Sequence, residues 1–380
     1  MPTFHANYPQ HNHNALLPTP ERLGALPDYT GRGVVIAFID AGFYMHPDIS
    51  DRVLVHVDAS TQHVIEQSSV LEISDLSWHG QMTSVIAAGD GRLSNGIYRG
   101  IASSAKLVLI KVSSPRGQVK EADILRGLQW LNDAHRRFNI RIVNISVGGD
   151  FESHDPDHPL HRMVRKLVEA GVVVVTAAGN KNAPILVPPA SAPSAITVGG
   201  YSDHNSLDWW HRTPYHHDYG WTYDGTHKPE VVTAAEWIAS PILPGSLVER
   251  EARWLAPLLN GDTERALHHL LEHGYADLGL ALHEAQSPND HLYGMLQGRI
   301  NGYKLIDAAH QHVDGTSVSA AIASSVIAQM IEANPSLTPA AIRAILTETA
   351  SPLPGVALER QGAGAINAAR AVQVAADSPH

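Results

Sequence analysis

Three positions in this chain carry residue types sufficient for nucleophilic chemistry, provided a fold brings them together. The first is Ser317, in Asp314-Gly315-Thr316-Ser317-Val318-Ser319-Ala320-Ala321. Gly-Thr-Ser is followed by small and apolar residues that run on to Met330, which reads as a tight loop opening directly into a buried helix. A serine at a helix start lies near the positive end of the helix dipole and near N–H groups that have no intrahelical acceptor. A nucleophile and the oxyanion it generates both gain there. The commoner role for a serine at that place is a plain N-cap. A serine hydroxyl is a weak nucleophile at its free pKa, so the chemistry also requires a base and an orienting carboxylate. His79-Gly80 supplies a candidate base: it precedes Gln81–Gly89, a small-residue apolar stretch read as a helix opened by the histidine. Asp40 supplies the carboxylate. It ends the apolar run Val34–Ile39, and open α/β sheets place their ligands at the C-terminal ends of buried strands.

The elements that must position these residues follow from the apolar pattern. Lys106–Val112, Arg141–Gly149, Val172–Ala178 and Ala195–Gly199 read as buried strands. Lys120 to about Phe138 and Met163–Ala170 have helical spacing, and they alternate with those strands. Lys228–Val232 starts a further short strand. Apolar strands alternating with helices predict a mainly parallel sheet covered on both faces, a three-layer α/β/α fold. Residues 1–20 are expected to form an N-terminal arm, 21–375 one domain, and 245–312 a mostly helical insertion within it. In that insertion Leu247, Trp254 and Leu258 share one helical face, and Leu267, Leu270 and Leu271 another. Asp262 or Thr263 caps the second helix and Gly274 stops it. Asn301-Gly302 reads as a hairpin turn leading back toward Ser317. Thr338 is the N-cap of a last helix with Pro339 as its first residue.

Composition narrows the function. The 380 residues carry a formal net charge of −11 and 24 histidines, with no basic stripe of the kind a nucleic-acid surface needs. Cysteine is absent, which excludes disulfides, thiolate metal sites and cysteine nucleophiles. Met1–Gln10 has neither a basic n-region nor an apolar h-region, and no run approaches the length needed to span a bilayer. The expectation is a soluble, cytoplasmic protein without membrane association, or a secreted one if an export signal and propeptide were removed.

Taken in order, Asp40-Ala41-Gly42, His79-Gly80, Gly179-Asn180 and Gly315-Thr316-Ser317 resemble the subtilisin-like serine peptidases, the subtilases of peptidase family S8. His46-Pro47-Asp48, Gly100-Ile101-Ala102, Asn144–Gly149, Lys228-Pro229-Glu230 and Gly362–Asn367 match as well, so the resemblance covers the chain from about residue 20 to 375 apart from the insertion. It implies the fold already read from the pattern and a serine endopeptidase acting on peptide or unfolded protein substrates through an acyl-enzyme. Ser317 would attack, His79 would carry the proton and Asp40 would hold the imidazole. Asn180 would donate to the oxyanion together with the Ser317 N–H. Ser146, Val147 and Gly148 would pair with an extended substrate as an added strand, and Ala178 and Gly179 would help to wall the pocket. Asp48 matches a calcium ligand of many relatives, with Asp90 and Asn95 in the loop that would complete a structural calcium site.

The sequence departs from the family at Gln81 and Met82, where Thr and His are usual, at Asp314, where Asn is frequent, and near Ala321, where Pro is usual. Asp314 adds a negative charge that would raise the His79 pKa. Two alternatives remain at this point: a peptide-binding relative with poor turnover, and a serine esterase or acyltransferase on the same residues. His269 and His273, spaced i, i+4, form a further candidate pair for a divalent metal, but without the H-E-x-x-H pattern of metalloproteases.

Overall fold

The computed structural model of the chain describes residues 2–379 except 11–14, 68–72, 115 and 260. The segment 11–14 of the N-terminal arm therefore lies outside the described residues. The central strands are β1 (Val35–Asp40), β2 (Val53–Asp58), β3 (Ile65–Gln67), β4 (Lys106–Lys111), β5 (Ile140–Ile145), β6 (Val173–Ala177), β7 (Ile196–Ser202) and β8 (Val231–Ala234). They form one sheet in the order β8-β7-β6-β5-β1-β4-β2-β3. Pairing is parallel from β8 to β2. The antiparallel additions are β3 on β2 and Thr213-Pro214 on β7.

The strands are apolar throughout because both faces are covered. On β1, Ile36 and Phe38 face a core shared with helices α1 (Asp75–Ala88), α7 (Thr316–Ala333), α8 (Pro339–Thr349) and α9 (Ala368–Asp377). Val35, Ala37 and Ile39 face the opposite core, closed by α2 (Glu121–Phe138) and α3 (Pro159–Glu169). Each fully buried Ile or Phe contributes about 1.5–3 kcal/mol by leaving water. This is the three-layer α/β/α arrangement expected from the sequence.

Helix α7 is the central helix of its layer. Its 18 residues reach a mean hydropathy of 1.2, so among the described residues one helix is long and apolar enough to cross a membrane by length and composition. This corrects the expectation that no run approaches that length. Of that helix 83% is buried inside the fold, so its apolarity is spent on core packing.

Within the segment expected as an insertion, α4 (Leu247–Leu255), α5 (Thr263–His269) and α6 (Asp290–Gly302) enclose a small core of their own, built on Leu255, Leu258, Leu267, Leu270, Leu296 and Ile300. Phe4 from the N-terminal arm fills the same core, and His5 exchanges two 2.9 Å hydrogen bonds with the Gln297 side chain. The stripes therefore face one another, except that Leu247, the first residue of α4, is 51% exposed. Asp262 caps α5, accepting from Arg265 N at 3.2 Å. Asn301 and Gly302 form the last turn of α6 and not a hairpin, because the helix continues to Gly302 with the Tyr303 N–H bonded to Arg299 O at 2.9 Å. The chain returns through a two-stranded antiparallel ribbon, β9 (Ile238–Pro241) with β10 (His310–Val313), which the sequence reading did not find.

Candidate active site

The site lies where neighbouring strands end. β1 ends at Asp40, β5 leads into Ser146–Gly148, and β6 leads into Ala178–Asn180; in the sheet these strands are neighbours in the order β6-β5-β1. Helices α1 and α7 cross the same face and carry His79 and Ser317.

Asp40 is fully buried, and His79 Nδ1 lies 2.5 Å from its Oδ1. The Ala41 N–H donates to the same oxygen at 2.7 Å. A carboxylate oxygen accepts only, so the imidazole proton facing it resides on Nδ1 and Nε2 is left as the basic nitrogen. Burial alone would lower the His79 pKa. The charge of Asp40 and its hydrogen bond outweigh burial and hold the imidazole above its ordinary value. Asp314 does not take that part: its carboxylate accepts from Lys304 Nζ at 2.6 Å. Helix α1 begins before the histidine, at Asp75, where Ser74 and Ser77 form a reciprocal cap. His79 thus sits in the second turn, with helical backbone on both sides of it. Glycine at the next position is required, because a Cβ on Gly80 would stand 2.0 Å from Gly42 O. Gln81 and Met82 point into buried packing, with the Gln81 side chain 3.5 Å from Ile242 O, and neither enters the Asp40–His79 contact.

Ser317 is the second residue of α7, so its N–H belongs to the group a helix start leaves without an intrahelical acceptor. Thr316, the first residue, fixes Asn180: Thr316 N and Oγ1 both donate to Asn180 Oδ1 at 3.0 Å. The Thr316 hydroxyl in turn accepts from Gly179 N at 3.1 Å. With Oδ1 held by two donors, the side-chain NH₂ of Asn180 is turned outward. Asn180 Nδ2 and Ser317 N both border Gly315, at 3.7 and 3.9 Å from where its Cβ would be. Gly315 itself has φ 138° and ψ 159°, a region open essentially to glycine alone. Ser146 Oγ donates to Ser317 O at 3.4 Å and accepts from Asn144 Nδ2 at 2.9 Å, which ties the end of β5 to the helix start.

Beyond β5, Val147 and Gly148 run outside any strand pairing, and Gly149 N donates to Pro188 O at 2.7 Å. Val187 closes in on Gly148, with its Cγ2 2.9 Å from where a Gly148 Cβ would be. Ala178 is buried, and Gly179 is backed by the Asp218 carboxylate, which accepts from Lys181 N and Ala183 N at 2.9 and 3.0 Å. Asp218 was missed in the sequence, and Thr316 and Val187 were not given a role of their own. Thr316 was findable as the neighbour of Ser317; the other two become visible only when their loops fold back. Trp78 was missed as well. Its ring lies edge-on to His79 with centroids 6.4 Å apart.

The side chains expected to hold calcium supply few of the oxygens that ion takes. Calcium needs six to eight oxygen ligands. Asp48 is buried with one carboxylate oxygen unpartnered, which offers a single ligand. Asp90 is taken by the Arg92 guanidinium at 2.6 Å, a cation already in place, and Asn95 is exposed. Among the described residues no group of three or more His, Asp or Glu side chains is arranged to hold a metal ion, the His269–His273 pair included.

The fold and its strand ends thus define an α/β protein with a histidine–carboxylate pair and a serine at a helix start. The sequence profile of the subtilase family matches residues 31–364, and the chain belongs to that family, the S8 serine peptidases, whose substrates are peptides and proteins. Serine protease AprX of Bacillus subtilis is 27% identical over 351 residues, covering 90% of this chain and 67% of AprX. Subtilisin Savinase of Lederbergia lenta is 31% identical over 182 residues, 47% of this chain and 59% of Savinase. Among solved structures, a protease from Pseudoalteromonas arctica superposes with a TM-score of 0.63 at 20% identity, covering 97% of this chain and 99% of that one. A mutant of the protease domain of PatA superposes with a TM-score of 0.61 at 19% identity, covering 92% and 98%. At these identities the two superpositions establish the fold.

Proposed function

We propose that this chain is a serine endopeptidase that cleaves peptide bonds through Asp40, His79 and Ser317. The observation that carries the reading is the 2.5 Å contact between His79 Nδ1 and the buried Asp40 carboxylate, which leaves Nε2 as the base. In this mechanism Ser317 Oγ attacks the scissile carbonyl and its proton passes to His79 Nε2. The carbonyl oxygen takes the negative charge and accepts from Asn180 Nδ2 and the Ser317 N–H. The imidazolium, stabilised by Asp40, gives its proton to the departing amine, and the acyl-enzyme remains. Water then attacks the ester by the same route: His79 accepts the water proton and returns a proton to Ser317 Oγ. Val147 and Gly148 offer backbone to an extended substrate, which favours peptides over other acyl compounds.

The helical segment supports a preference for flexible or unfolded chains. Its supporting ribbon β9–β10 leads into Asp314-Gly315, Lys304 pairs with Asp314 at 2.6 Å, and Gly245 lies against Ile73 just ahead of α1. The test is hydrolysis of a peptide anilide and of a short ester by the native chain and by Ser317→Ala. Loss of peptide hydrolysis in a folded variant supports the assignment, and full activity there removes it. Turnover of the ester alone by the native chain would favour an esterase.

A further inference from the structure

Asp40 has a second oxygen that the mechanism leaves unused. It is buried, and a buried charged oxygen without a donor is costly. Its donor is Thr83, whose Oγ1 lies 2.9 Å from Asp40 Oδ2, with both side chains fully buried. Thr83 follows His79 by four residues on α1, and residues so spaced share one helix face. One face of one helix therefore holds both oxygens of the same carboxylate, His79 at Oδ1 and Thr83 at Oδ2. The hydroxyl has a second acceptor, Gly80 O at 3.1 Å, but its single proton favours the nearer, charged oxygen. The helix approaches the strand end closely at this point: a Cβ at Gly80 would meet Gly42 O at 2.0 Å and the Phe43 ring at 2.8 Å.

We propose that Thr83 is a positioning residue for the catalytic pair, fixing the rotation of the Asp40 carboxylate so that Oδ1 stays aligned with His79 Nδ1. Without the hydroxyl the carboxylate is held at Oδ1 alone, by His79 Nδ1 and Ala41 N, and its rotation about the Cβ–Cγ bond is less restrained, which loosens the orientation of the imidazole. The proposal rests on the catalytic reading of Asp40, His79 and Ser317.

The experiment compares Thr83→Val, which removes the hydroxyl at nearly constant volume, with Thr83→Ser, which keeps it. The readouts are kcat and KM on a peptide anilide, the downfield proton resonance of the His79 Nδ1–H, and labelling of Ser317 by a fluorophosphonate. A hydrogen bond to a charged group predicts that Thr83→Val lowers kcat about ten- to a hundredfold. KM stays unchanged, the imidazole proton resonance moves, and Thr83→Ser stays close to the native chain. A Thr83→Val variant with native kcat and native proton resonance overturns the proposal, as does a Thr83→Ser variant as slow as Thr83→Val. Should Thr83→Val fail to fold by circular dichroism, Thr83→Ala is compared with Thr83→Ser on the same terms. Absence of label on the native chain overturns the catalytic reading and this proposal together; labelling of the native chain with no effect at position 83 overturns this proposal alone.

Discussion

The arrangement of Asn180 makes a quantitative claim about how two residues share one function. Asn180 Oδ1 is held by Thr316 N and Thr316 Oγ1, both at 3.0 Å, and in the proposed mechanism that anchoring is what would aim Nδ2 at the oxyanion. Asn180→Ala deletes the donor itself, and losing such a donor costs about 2.7–4 kcal/mol, or about a hundred- to a thousandfold in kcat. Thr316→Val removes one of the two anchors and leaves the backbone one. A neutral hydrogen bond contributes about 0.5–1.5 kcal/mol, so kcat should fall about two- to tenfold. In the Asn180→Ala background the Thr316 hydroxyl has no amide left to orient. Its second role, accepting from Gly179 N at 3.1 Å, is the same in both backgrounds and cancels in the comparison. The double variant should therefore be no slower than Asn180→Ala beyond that common term. The assay is kcat at saturating peptide anilide for the four proteins, with thermal melts to confirm folding. Strict additivity, with Thr316→Val slowing both backgrounds by the same factor, would refute the anchoring argument, and native kcat in Asn180→Ala would remove the oxyanion role.

Further outcomes follow from the same geometry. Because Asp40 holds the His79 pKa above its ordinary 6.5, kcat/KM should rise with pH through a midpoint above 6.5, since the base must be neutral; a midpoint below that value contradicts the pairing. The sign for stability is opposite. The stabilisation from that shift is fully present below 6.5 and is lost as pH rises through the folded value, so thermal melts of the native chain and His79→Ala should converge at alkaline pH. Val187 stands against Gly148, so Val187→Gly should raise kcat/KM for a large aromatic residue before the cleaved bond relative to alanine, and an unchanged ratio would show that Val187 does not limit the pocket. Replacing residues 247–299 by a short Gly/Ser linker should raise cleavage of a folded protein relative to a short peptide. If the shortened chain folds and the ratio does not move, the segment does not restrict access.

The fold was legible where apolar runs are uninterrupted and alternate with helical spacing, because strands buried on both faces leave that pattern. It was not legible where burial is achieved with polar residues. β10 reads His310-Gln311-His312-Val313, yet both histidines are buried, with Tyr98 against His310 and with Trp237 and Tyr8 against His312. β2 was missed for a related reason, since His56 interrupts its apolar run but is itself buried beside Phe43. Asn301-Gly302 carries the composition of a hairpin turn and ends a helix instead, because Ile300 is needed in the core around α6. Caps were well marked: Thr338 accepts from Ala341 N at 3.2 Å, as its place before Pro339 suggested. At the candidate site, motif order singled out Asp40, His79, Asn180 and Ser317, whereas their hydrogen-bond partners Thr83 and Thr316 lay one turn and one residue away and are plain in type. Residue type does not mark them; the hydrogen bonds do.

The measurement closest to the central claim is covalent trapping of the nucleophile. The 380-residue chain is incubated with a fluorophosphonate, and the product is read by intact mass and by peptide mapping. A base–carboxylate pair serving Ser317 predicts a single adduct on Ser317, absent in Ser317→Ala and formed far more slowly in His79→Ala. No adduct on the folded native chain, or an adduct that persists in Ser317→Ala, would contradict the account.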